Sequence, residues 1–232
     1  MGNRRLRWYD ASFDVAGFKR LADAMLRHEY RATTGWGFRV SQRRKDWIAG
    51  SYFERFERAD TVTDPLGASK EYMRVDFRTI EFVMSSKFPR IELHNPQRGA
   101  GDLFVRVAEF LDFGVAIAPL DVDVTRWCEA LRRRTSGEIV GLEVSDVAIT
   151  AAVSGVIGVE GISDVRSALA QLVGRRAHRV SRAMIRWHEG AADMSCDVAA
   201  SGRAIITGGS ASTIPILRES LTEACGETGP AV

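Results

Sequence analysis

The sequence predicts an α+β fold of two similar halves, 1–113 and 114–232, each a curved antiparallel sheet backed by helices. One continuous domain is the alternative. Three observations predict this class. Strand-like segments with period-two alternation follow one another across turn residues, as in hairpins and meanders rather than parallel crossovers. Segments with apolar residues at helical spacing separate those runs. Both halves also keep one order, strand and helix, then meander, then closing helix, without residue-level repetition.

The first half begins with a short strand around Leu6–Tyr9. Ser12 or Asp14 caps a helix carrying Phe18, Leu21, Ala22, Met25 and Leu26 at helical spacing. After Thr33-Thr34-Gly35 the period changes, and Trp36, Phe38 and Val40 alternate with Gly37, Arg39 and Ser41. A second strand, Trp47–Arg58, leads through Asp64-Pro65 and Gly67 into a long strand from Glu71 to Ser85. There Met73, Val75 and Phe77 share one face while Ile80, Phe82 and Met84 share the other, which predicts a bulge near Arg78-Thr79. Phe88–His94 is a fourth strand, and Leu103, Val107, Phe110 and Leu111 form the stripe of an amphipathic helix.

The second half opens with a strand at Gly114–Ala118 and a helix after Asp121 or Asp123 bearing Val124, Trp127, Cys128 and Leu131. Strands at Glu138–Ile149 and Ala151–Val159 follow, then a short helix capped by Ser163 with Val165, Ala168, Leu169 and Leu172. A hairpin, Ala177–Val198, has Glu189–Ala192 as its loop. That register sets Trp187 against Met194, Ile185 against Cys196 and Ala183 against Val198, an apolar face. The other face sets His188 against Asp193, Arg186 against Ser195, Met184 against Asp197 and Arg182 against Ala199, with Arg186 diagonal to both aspartates. A strand at Arg203–Thr207 and a helix from about Ile214 complete the chain.

Composition excludes several classes. With 45% hydrophobic and 27% charged residues the chain lies outside disordered compositions. The longest nearly apolar run, Val147–Val159, contains Thr150 and Ser154 and falls short of the roughly 20 residues that cross a bilayer. The basic N-terminus has no apolar core behind it, so no signal peptide is read, and the expectation is a cytoplasmic protein without membrane contact. Cys128, Cys196 and Cys225 form no CxxC pair and read as free thiols. Net charge is only +2, yet 28 of the 32 cations are arginine, the residue suited to bidentate contact with phosphate or carboxylate.

Candidate chemistry is sparse. No GxSxG, HExxH, Walker-type or dinucleotide-binding motif is present, and no cofactor or metal is expected. Asp121-x-Asp123 reads as helix-capping acids, and Glu92 with His94 as a pair on one strand face. The segment Gly208-Gly209-Ser210-Ala211-Ser212-Thr213 joins a strand to a helix. Its glycines and hydroxyls, Gly208, Gly209, Ser210, Ser212 and Thr213, are candidates for holding an anion through backbone N–H groups. Arg43, Arg44, Lys45, Arg175, Arg176, Arg179, Arg182 and Arg186 are candidates for a phosphate-tracking surface. The sequence therefore leads to a non-catalytic binding or scaffold protein of a cytoplasmic, bacterial-type assembly. Its partner is another protein or a second copy, with nucleic acid as a further partner through the Arg-rich loops. The alternative is an enzyme or sensor that binds a small phosphorylated ligand at Gly208–Thr213.

Overall fold

A computed structural model describes residues 3–96, 100–150, 152–208 and 212–226. Its backbone is α+β with antiparallel strand pairing throughout the named strands, and contacts gather it into two units. One unit holds the chain up to Ser12, then Lys87–His94, and everything from Ile117 onward; the other holds Phe13–Ser86 and Asn95–Ala116. The units are thus not consecutive halves, because the first strand belongs with the C-terminal portion.

The larger unit is built on β1 (Arg4–Ala11), β5 (Ile91–His94), β6 (Ile117–Pro119), β7 (Glu138–Thr150), β8 (Val153–Glu160), β9 (Arg179–Glu189), β10 (Ala192–Ala199) and β11 (Arg203–Thr207). Seven of them run in the order β5-β1-β11-β10-β9-β7-β8, with β6 paired to the end of β1. Alternation sends Leu6, Trp8, Ile185, Trp187, Cys196 and Ile206 to one face. There α3 (Val124–Thr135) and α5 (Thr213–Cys225) cover them with Trp127, Leu131, Leu217 and Leu221. Trp8 and Trp127 meet edge to face, ring centroids 5.7 Å apart. Asp123 caps α3 by accepting from Arg126 N at 3.1 Å. Arg133 and Arg134, at the end of the same helix, bind Glu223 of α5. A third helix, α4 (Arg166–Val173), buries only Leu169 and Val173. Ser163 does not cap it: Val165 holds the cap position, and Asp164 accepts from Arg166 N at 3.0 Å instead.

The smaller unit is a three-stranded meander of β2 (Trp36–Arg43), β3 (Trp47–Thr63) and β4 (Ser69–Ser85), covered by α1 (Val15–Arg27) and α2 (Ala100–Phe110). Asp14 caps α1, accepting from Gly17 N at 2.7 Å. The core joins Phe18, Leu21 and Met25 to Phe38, Tyr52, Ile80, Phe82 and Met84, with Leu103 and Val107 from α2. Phe38 lies 5.3 Å from Tyr52, 6.0 Å from Phe82 and 5.8 Å from Phe110, centroid to centroid.

The bulge expected near Arg78-Thr79 is absent. β3 and β4 pair without a register shift from Trp47↔Ser85 to Thr63↔Ser69, and the irregularities fall in β2 and β7 instead. The parity switch has another cause. Ile80, Phe82 and Met84 are buried, whereas Met73, Val75 and Phe77 stand on the opposite face and are exposed.

Candidate functional site

Three of the eight candidate cations are held by carboxylates. Arg43 bonds Asp23 at 2.7 Å, Arg179 bonds Asp121, and Arg182 Nε donates to both oxygens of Asp197 at 2.8 Å. Arg44, Lys45, Arg175, Arg176 and Arg186 are exposed, and no ion pair is found for them among the described residues. The hairpin register agrees with the sequence reading pair for pair. Its charges divide differently: His188 takes Asp193 at 2.7 Å and Arg182 takes Asp197, which leaves Arg186 facing solvent across from Ser195.

At the glycine-hydroxyl turn, Gly209 and Ser210 lie outside the described residues. Gly208 has φ +77°, and a Cβ there would stand 2.3 Å from the Asp193 carbonyl oxygen, so close strand approach accounts for this glycine. Thr213 is buried, and Ser212 Oγ lies 3.4 Å from a carboxylate oxygen of Glu189.

Glu92 and His94 belong to a larger buried cluster that the sequence does not reveal. The Glu92 carboxylate is 2% exposed and accepts from Trp8 Nε1 at 2.8 Å, His94 Nε2 at 2.6 Å, and Arg218 Nε and Nη2 at 2.8 and 2.9 Å. Burial would push this carboxyl up, but the hydrogen bonds from His94 and Arg218 prevail and hold it at about 2. With four donors on one carboxylate, it ties β1, β5 and α5 together and has no proton to exchange near neutral pH. Among the described residues, no group of three or more His, Cys, Asp or Glu is placed to hold a metal.

Among the described residues, the outer part of the β3–β4 ribbon is a surface with little internal cover. β2 pairing ends at Trp36↔Glu54, and the ribbon continues for nine pairs, Arg55↔Phe77 to Thr63↔Ser69. That is about 27 Å of two-stranded arm at about 3.4 Å per residue. One face carries Met73, Val75 and Phe77, exposed by 63%, 43% and 55%, beside Ala59 and the Arg55–Glu57 ion pair. The other face mixes the exposed Val62 and Tyr72 with charges that pair within the face: Arg58 lies 3.4 Å from Asp60, and Arg74 lies 3.9 Å from Asp60 and 3.7 Å from Asp76.

Both ends of the arm are fixed. At its base Arg78 donates to Glu54 at 2.8 Å and to Asp102 of α2, while burial and the Asp102 charge push the Glu54 carboxyl up. At its tip Asp64 Oδ1 accepts from Leu66 N and Ala68 N at 2.8 and 2.9 Å, which holds Leu66 almost fully in solvent. The sequence reading places Met73, Val75 and Phe77 in a curved sheet; in the structure they lie where β3 and β4, 17 residues each, outrun the 8-residue β2.

Compared with known protein families and with curated proteins, the chain matches none. No helix among the described residues is long and apolar enough to cross a membrane.

Proposed function

We propose that this is a non-catalytic binding protein whose β3–β4 arm engages a protein partner. The observation that carries this reading is the row Met73, Val75 and Phe77 on a preformed arm. Apolar side chains grouped on one face of a projecting ribbon are characteristic of an interface, and scattered ones are not.

Magnitudes indicate the mode of binding. Completing the burial of Leu66, Met73, Val75 and Phe77 is worth roughly 1–2 kcal/mol each, about 5 kcal/mol together. Association itself costs about 4–15 kcal/mol, so the stripe alone holds a partner weakly. Beyond Glu54 the outer edge of β3 has no strand beside it among the described residues. Arg55 N already donates to Gly35 O at 2.6 Å, so a partner strand added along Phe56–Thr63 supplies main-chain hydrogen bonds on that edge, while other parts of the partner cover the stripe on β4.

The test is site-specific photo-crosslinking. A photoreactive residue at Ala59 yields a discrete protein adduct, either a second copy or another chain. The adduct disappears in the triple variant Met73→Ser, Val75→Thr, Phe77→Thr, and it does not form from a photoreactive residue at exposed Ile162. No adduct at Ala59, or the same adducts from Ile162, overturns the reading.

A further inference from the structure

We propose that the cleft beneath α4 is a binding site for a small uncharged apolar molecule of bicyclic size bearing one hydrogen-bond donor. The cleft lies wholly within the larger unit, and its cavity measures about 300 Å³. Cys128, Ile139, Leu142, Leu169, Val173 and Val180 form its walls. Local sequence explains why the space exists. α4 has only eight residues, Leu169 and Val173 are the side chains it buries, and the position beside the opening is Ala170. The helix therefore stands over the sheet without filling the gap. Gly161 N and Val165 N, bonded to Val140 O and Ile139 O at 2.9 Å, fix its approach and keep it from collapsing inward.

Size and polarity define the ligand. An apolar cavity of about 150 Å³ takes up benzene, so about twice that volume suits two fused rings. The mouth carries charge, but the charges satisfy one another. Arg166 bonds Asp164 at 2.7 Å and Glu129 at 2.9 Å, and Arg179 bonds Asp121. An ionic ligand would have to break one of these pairs, whereas a neutral ligand does not. Burial pushes the Cys128 thiol up, so that wall is also uncharged.

The His178 ring supplies a hydrogen-bond acceptor at the mouth. His178 Nδ1 lies 2.8 Å from the Arg176 carbonyl oxygen and must donate to it, so in the neutral ring Nε2 is an acceptor. His178 and Thr125 border both this cavity and an adjoining polar one of about 520 Å³. A ligand with its rings under α4 can therefore direct a hydroxyl or N–H to His178 Nε2. Few convergent polar groups at the end of an apolar cleft is the usual composition of a small-molecule site.

The experiment is a titration of the full chain with 2-naphthol, followed by methyl resonances of Leu142, Leu169 and Val173, with Met73 and Val75, which belong to the other unit, as the control. Saturable shifts in the first group, absent from the second, are expected. Naphthalene-2-sulfonate should bind at least about tenfold more weakly. Ala170→Phe, at an exposed position, fills the mouth and should abolish the shifts. Leu169→Ala enlarges the cavity and should retain them. The proposal is overturned if no saturable shift occurs up to the solubility of 2-naphthol, if the shifts centre on Met73 and Val75, if the sulfonate binds equally well, or if Ala170→Phe binds as the natural chain does.

Discussion

Replacing Glu92 with Gln tests the buried cluster of the larger unit directly. The carboxylate accepts hydrogen bonds from Trp8, His94 and twice from Arg218, and these hold its pKa at about 2 against an ordinary 4.5. A difference of that size corresponds to about 3 kcal/mol of stability. The folded pKa is the depressed one, so this stability is present above about pH 4.5 and is lost as pH falls from 4.5 toward 2. At pH 7 Glu92→Gln should therefore destabilise the unit by about 3–5 kcal/mol, since it also leaves Arg218 facing a neutral amide. Below about pH 2 the gap should nearly close, because natural and variant side chains are then both uncharged. Urea unfolding read by indole fluorescence measures it, with Trp36 and Trp47 replaced by Phe in both chains so that Trp8, Trp127 and Trp187 report. A destabilisation below about 1 kcal/mol at pH 7, or a gap that persists unchanged to pH 2, would refute the reasoning.

Two further outcomes follow from the same structure. Gly208→Ala should cost at least about 2 kcal/mol, because a Cβ at φ +77° meets the Asp193 carbonyl oxygen at 2.3 Å. Gly174→Ala, at φ +62° with open space around it, should cost only about 1 kcal/mol, and equal losses in urea unfolding would contradict the role given to that close approach. With Arg43, Arg179 and Arg182 bound to carboxylates, fluorescence anisotropy with short DNA and RNA should show no saturable binding at about 200 mM salt. Saturable binding there, lost on replacing Arg44, Arg175 and Arg176 with Ala, would restore the phosphate-tracking reading.

By itself the sequence determined, to within a few residues, most strand and helix segments and the pairing across a tight hairpin, because period and turn chemistry are local. The hairpin register of Trp187 with Met194 and Ile185 with Cys196 is one example; the sequence narrows the caps to Ser12 or Asp14 and to Asp121 or Asp123, and the structure selects Asp14 and Asp123. Contacts distant along the chain were decided only by the tertiary structure. Glu92 meets Arg218 across 126 residues, and no spacing rule joins them. The basic runs looked equally free in sequence, yet Arg43 found Asp23 and Arg182 found Asp197 while Arg186 found no such partner among the described residues. Met73, Val75 and Phe77 show the limit most clearly. Alternation tells which face of a strand is apolar, but what lies against that face depends on where the rest of the chain goes. Here Ile80, Phe82 and Met84 are buried on one side of β4, and among the described residues no helix covers Met73, Val75 and Phe77 on the other side farther out. The cavity beneath α4 has the same origin: the sequence makes a short helix, and only its anchoring at Val140 and Ile139 leaves a space below it.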